Sequence, residues 1–172
     1  MKALALDVAT RTGIAVGSAG GAPLAWSEDL GKGKSEDSRF SRVLALTDRL
    51  LREHKPDLVA VEAPIGGGSA SLLLIGLAAC VRGCAATRGV PVVVYQSATV
   101  RKHFVGKALS ARSFPALSQS AAKKAIKGVV IDRCRVLGWG DLDDDAADAA
   151  ALWDLALARA GAQVSPAGRL FA

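Results

Sequence analysis

Asp7, Glu62, Asp145 and Asp148 are the residues of this sequence whose type and spacing could do chemistry. Asp7 and Glu62 each lie near the end of a short apolar run, Ala3 to Val8 and Leu58 to Glu62. Asp145 and Asp148 open an alanine-rich stretch and stand one helical turn apart, on the stripe that continues at Leu152 and Leu155. A carboxylate taken out of water costs on the order of several kcal/mol unless it is paired or binds a metal. Carboxylates brought together repel, and a divalent cation with oxygen ligands is the usual remedy. Two Mg²⁺ ions roughly 4 Å apart can clamp the attacking water and the leaving 3′ oxygen of an in-line phosphodiester displacement. Such a site needs no His, Cys or Ser nucleophile. Plainer roles exist beside this one. Asp7 could cap the Thr10-Arg11-Thr12-Gly13 turn, and Asp141, Asp143 and Asp144 suit a helix start as caps and dipole partners. Whether Asp144 or Asp145 would be the ligand stays open.

The elements that must position these residues can be read in turn. Along Ala3 to Val8, Ala3, Ala5 and Asp7 take one face of a strand and Leu4, Leu6 and Val8 the other, so both faces are buried and the strand is central. After a turn at Gly13, Ile14 to Val16 and Leu24 to Trp26 complete a three-strand meander. Glu28 to Ser38 is polar and lacks the Gly-Lys-Ser/Thr ending of a phosphate loop. Ser35 caps a helix carrying Phe40, Val43, Leu44, Thr47, Leu50 and Leu51 at helical spacing, ended near Pro56. Leu58 to Glu62 is then a second buried strand. If it runs parallel beside the first, Asp7 and Glu62 face each other at the end of the sheet where open α/β folds place ligands. Ser69 to Arg88 reads as a helix apolar nearly all round, suited to a subunit interface. Val90 to Tyr95 is a fifth strand, Ser97 caps a short helix, and Ser118 or Ser120 begins a helix to about Leu137. Gly106 to Gln119 between them is irregular.

Charge points the same way as the carboxylates. The chain of 172 residues carries +6, but Arg101 to Arg135 holds nine basic residues against Asp132 alone, so that this stretch carries +8 and the rest −2. Such a block suggests a polyanion, most simply nucleic acid. Lys123, Lys124 and Lys127 fall in the first turns of a helix, where cations oppose the dipole, and phosphates are their natural partners. His103 could act as a general base, although a lone His in a basic block more often meets phosphate or solvent. Cys80, Cys84 and Cys134 lack zinc-ligand clustering and read as reduced core thiols. No run of about 18 apolar residues could span a membrane and no signal peptide is recognised, so a soluble, cytoplasmic protein of one domain over 1–172 is expected.

The order of three meandering strands, helix, strand, helix, strand and further helices resembles the ribonuclease-H-like fold: a five-stranded mixed sheet flanked by helices. Within it the chain resembles the RuvC family of Holliday junction resolvases, through LALDVATRTGIAV around Asp7, LVAVEAP around Glu62, VRKHFVGK at Val100 to Lys107, the lysine-bearing helix from Ala121, and DAADAAAL from Asp145. The resemblance implies that Asp7 bridges two Mg²⁺ ions, with Mn²⁺ the other candidate. Glu62 would bind one ion, and Asp145 with Asp148 the other. It puts DNA on Arg101, Lys102, Lys123 and Lys124, beside which Lys107 and Lys127 belong to the same basic surface. It further implies branched DNA as substrate, paired cuts leaving ligatable 5′-phosphate ends, no nucleotide cofactor, and a homodimer, for which the Leu72 to Leu77 helix face is the expected interface. Two features depart from the family. Pro64-Ile65-Gly66-Gly67-Gly68 offers no aromatic after Glu62 to stack on bases, and Gly106 to Ser120 is longer than the usual tight turn; both fit a diverged or phage-type resolvase. Three other readings share parts of the pattern: an actin-like or sugar-kinase nucleotide-binding domain, a ribonuclease trimming ribosomal RNA precursors, and a catalytically silent nucleic-acid-binding dimer.

Overall fold

The computed structural model describes residues 1–64 and 71–164. Strands β1 (Lys2–Asp7), β2 (Arg11–Ser18) and β3 (Leu24–Asp29) form the antiparallel meander, while β4 (Leu58–Glu62) and β5 (Val92–Tyr95) add in parallel on the other side of β1. The sheet order is β3-β2-β1-β4-β5, the expected mixed sheet with β1 central. Five helices accompany it among the described residues: α1 (Glu36–His54), α2 (Leu72–Thr87), α3 (Ser97–Val105), α4 (Gln119–Val136) and α5 (Asp144–Val164). A 3₁₀ turn at Ala111–Ser113 interrupts the segment expected to be irregular.

The alternation along β1 divides the core in two. Leu4, Leu6 and Val8, with Val59 and Val61 of β4, pack under α1 and α2. Ala3 and Ala5, with Leu58 and Ala60, pack under α5. Small residues on both sides of that second contact, Ala147, Ala150 and Ala151 from α5 among them, let the helix lie close to the sheet. Leu152 and Leu155 are fully buried there, as the helical stripe required. Trp153 anchors the same helix by donating its indole N–H to the Gly17 carbonyl at 3.1 Å.

Several boundaries differ from expectation for identifiable reasons. Gly13 is within β2, not in the turn, and pairs with Asp7 across the ladder. The turn itself is held by Thr12, whose buried hydroxyl donates to the Ala9 carbonyl at 2.8 Å. Among the described residues Asp7 makes no capping hydrogen bond to that turn. α1 ends on Lys55 in the left-handed conformation (φ 45°), before Pro56 is reached. Ser35 and Ser118 cap α1 and α4 as expected, accepting from the backbone N–H of Ser38 and Ala121. Residues 65–68, expected to lack a stacking aromatic, lie outside the described residues, as do positions 69 and 70 of the helix expected from Ser69; that helix begins at Leu72, after the extended Ser71. Cys134 is buried in the α5-side core, and burial pushes its thiol up to about 11. No helix among the described residues is long and apolar enough to cross a membrane.

Candidate active site

Alternation decides where the strand carboxylates point. Asp7 shares the face of Ala3 and Ala5, and Glu62 that of Leu58 and Ala60, so both turn toward α5. β1 and β4 are parallel, with Leu6 opposite Val61, and neighbouring strands run about 4.8 Å apart. The two acids therefore leave adjacent strand ends side by side.

α5 brings the other two. Its first turn is pinned by Asp143, which accepts from the Ala146 backbone N–H at 2.9 Å, from the Ser27 hydroxyl at 2.6 Å and from the Arg11 guanidinium at 2.9 Å. Beneath that turn lies Gly13. A Cβ on Gly13 would stand 1.9 Å from the Asp145 carbonyl oxygen, so only glycine lets α5 descend onto β2 here. The consequence is that Asp145 and Asp148 are lowered to the level of Asp7.

The resulting electrostatics are those of crowded acids. Burial holds the Asp7 carboxyl well above the usual range, and the charges of Glu62, Asp148 and Asp145 add to it. Burial, reinforced by Glu62 and Asp145, pushes Asp148 up to about 7 against the pull of Lys127 and Arg101. Glu62 and Asp145 are also raised by burial; the Ser97 hydroxyl, Arg101 and Lys127 oppose this at Glu62, and Lys127 opposes it at Asp145. All four side chains are half-buried, so solvent and ligands reach them. Four carboxylates face three cations, Lys127, Arg101 and Arg11, whose Nε lies 3.4 Å from Asp145, and the purely oxygen donor set, still in surplus of negative charge, fits divalent ions of the Mg²⁺ type.

The open choice between Asp144 and Asp145 has a structural counterpart. The Asp145 side chain is 17% exposed and acts on Asp7 and Asp148, whereas Asp144 is 46% exposed and binds Lys127 at 2.7 Å. Carboxylate oxygens of Asp143, Asp144 and Asp145 lie within 4.8 Å of one another, and Arg11 and Lys127 partly neutralise this outer group.

Of the basic residues, Lys102, Lys107, Lys123 and Lys124 are exposed. Arg101 is half-buried, donates to the Leu109 carbonyl at 3.1 Å, and its charge reaches Glu62 and Asp148. Lys127 sits apart from the exposed lysines: its ammonium lies 2.7 Å from Asp144 and 3.5 Å from Asp145, inside the acidic set. His103 pairs with Asp154 at 2.8 Å, roughly 9 Å further along α5 than Asp148. Ser97 does not cap α3 as expected. Gln96 occupies the cap position, and the Ser97 hydroxyl donates to Glu62 Oε1. Arg11, Ser27 and Ser97 were not expected at the site. The pairing of Glu62 with Tyr95 is the signal that could have found Ser97, which lies two residues beyond that strand end.

The sequence matches no protein-family model and no curated protein. Solved structures do match. Thermus thermophilus RuvC superposes over 94% of this chain and 97% of its own at 22% identity and a TM-score of 0.67. The fold is that of the RuvC resolvases. The same T. thermophilus protein in complex with a Holliday junction substrate superposes over 94% of this chain and 96% of its own, at 20% identity and TM-score 0.68. A fowlpox virus resolvase in complex with substrate Holliday junction DNA gives 14% identity, 91% and 99% coverage and TM-score 0.51. The RuvC-like fold thus accounts for the sheet and for the helices on both of its faces.

Proposed function

We propose that this chain is a metal-dependent, structure-selective endodeoxyribonuclease, a single nuclease domain over 1–172 that resolves four-way or other branched DNA by paired phosphodiester hydrolysis. The observation that carries the reading is the convergence of four half-buried, mutually repelling carboxylates at one end of a RuvC-like sheet, beside a basic surface. The solved relatives bound to Holliday junction DNA favour a branched DNA substrate. Asp7 and Glu62, with Asp145 and Asp148, would hold two Mg²⁺ ions. Asp145 is preferred to Asp144 because its side chain is the more buried of the two and its charge acts on Asp7 and Asp148. Held there, such ions would supply Lewis-acid stabilisation of the phosphate and would activate a water.

The remaining work falls to this chain's own groups. Asp7 and Glu62 on adjacent strands, and Asp145 and Asp148 on one helix, fix four oxygen donors on rigid elements before substrate arrives. Arg101, next to Glu62 and Asp148, meets the phosphate to be cut. Lys102, Lys107, Lys123 and Lys124 hold flanking phosphates of the strand. Lys127 remains with Asp144 and Asp145 and limits the charge that the acidic set presents. Two such sites in a homodimer would make the paired cuts. The interface proposed for it is the outer face of α2, where Leu72 is 81% and Ile75 45% exposed.

The test is cleavage of an end-labelled synthetic four-way junction, a linear duplex and an RNA–DNA hybrid, each with Mg²⁺ or EDTA. Mg²⁺-dependent cutting of the junction alone is expected. Cutting confined to the RNA-containing hybrid would replace this reading with a ribonuclease on the same fold.

A further inference from the structure

We infer that Ser97 is a positioning residue for Glu62, fixing which oxygen of that carboxylate is presented to the proposed metal site. This rests on the nuclease reading above. Glu62 ends β4 opposite Tyr95, the last residue of β5, and the chain then turns through Gln96 into α3. Ser97 is therefore delivered to the Glu62 side chain by strand register and by one backbone turn, not by a flexible loop. A serine at a strand-to-helix junction ordinarily spends its hydroxyl on the helix's own unpaired N–H groups. Here no side-chain cap is formed at the start of α3, and the hydroxyl is spent on Glu62 Oε1 instead. It is the one hydrogen bond to the Glu62 carboxylate among the described residues.

The geometry gives this bond a purpose beyond satisfying a buried acid. A glutamate side chain has three rotatable bonds, and its terminal torsion is broad, so an untethered Glu62 would present either oxygen over a range of directions. Ser97 takes Oε1 and leaves Oε2 without a hydrogen bond among the described residues. Residues that orient a ligating carboxylate in this way set metal affinity and activity without touching the metal. α3 carries both halves of the arrangement, since Arg101, one helical turn beyond Ser97, is the cation whose charge reaches Glu62 and Asp148. A helix that shifted away from β4 would loosen the carboxylate and withdraw its neighbouring charge together.

The experiment compares full-length wild type, Ser97→Ala and Ser97→Thr, with Glu62→Gln as reference. Metal binding is read as the Mg²⁺ concentration giving half of the metal-induced rise in unfolding temperature, without DNA. kcat and KM on the four-way junction are measured separately. For Ser97→Ala, the Mg²⁺ midpoint is expected to rise and kcat to fall by about 10- to 100-fold, with KM little changed, and Ser97→Thr, which keeps the hydroxyl, is expected to recover most of both. Equal Mg²⁺ midpoints and kcat for wild type and Ser97→Ala would overturn the assignment while leaving the nuclease reading intact. A Thr variant no better than Ala would also overturn it. A wild-type protein that neither responds to Mg²⁺ nor cuts the junction would overturn both.

Discussion

Asp148→Asn should make the metal-free protein more stable while ending its activity, and the size of the gain can be worked out from the site. Asp148 titrates at about 7 in the folded protein because it is buried among Glu62 and Asp145. In the unfolded chain it titrates near the ordinary value of about 3.9. Below both values the group is neutral in either state and contributes nothing. Between them the folded state retains a proton that the unfolded state has lost, so stability falls as pH rises through that window. Above about 7 the full penalty of ionising a crowded, buried acid is present, about 4 kcal/mol from the difference between the two values. Asparagine has nearly the same shape and no charge. Its advantage over the wild type should be about 1 kcal/mol at about pH 4.5 and about 4 kcal/mol at about pH 8, the latter worth roughly 8–16 °C for a chain of this size. Thermal unfolding in EDTA at the two pH values reads this directly. Saturating Mg²⁺ should narrow or reverse the order, because ligand binding then favours the wild type. A gain that is absent, or equal at both pH values, would refute the picture of a destabilising acidic set.

Other consequences follow from single contacts. Gly13→Ala would put a methyl group 1.9 Å from the Asp145 carbonyl oxygen, so α5 must lift; calorimetry should show a loss of about 3 kcal/mol or more, with cleavage abolished. Lys127→Met removes the cation beside Asp144 and Asp145. Metal-free protein should then unfold at a lower temperature at neutral pH, while its Mg²⁺ midpoint shifts to lower concentration. Lys123→Ala with Lys124→Ala removes two exposed charges, and the slope of log affinity against log salt for a junction should flatten by about two. Leu72→Asp with Ile75→Asp on the exposed face of α2 should turn the proposed dimer into a monomer in sedimentation, leaving the secondary structure unchanged; a wild type that already sediments as a monomer would refute that interface.

What was legible in the sequence was what local periodicity controls. The Ala/Leu alternation of β1 named the face Asp7 occupies, and the Asp145, Asp148, Leu152, Leu155 stripe named the face of α5, because strand and helix periods alone decide which side chains are neighbours. The order of elements supplied the sheet, down to the parallel placing of β4 beside β1. Contacts that cross between elements were not legible. Lys127 looks like one more phosphate-binding lysine in the α4 sequence, and only the way α4 meets α5 brings it to Asp144 and Asp145. Ser97 has a hydroxyl that suits a helix cap equally well until the β4–β5 register puts Glu62 within its reach. Gly13 reads as a turn residue because glycine is common in turns, yet here it is demanded by the close approach of a helix backbone. His103 stood out as a possible base within the basic block, but its partner lies well down α5 from the acidic set.

The most direct measurement maps the ends produced when wild type and Asp7→Asn act on a four-way DNA junction in Mg²⁺. Symmetrically paired nicks with 5′-phosphate ends that DNA ligase reseals, made by the wild type and absent with Asp7→Asn or EDTA, are the expected result. Cleavage that persists in Asp7→Asn, or that survives EDTA, would contradict a site built on these four carboxylates.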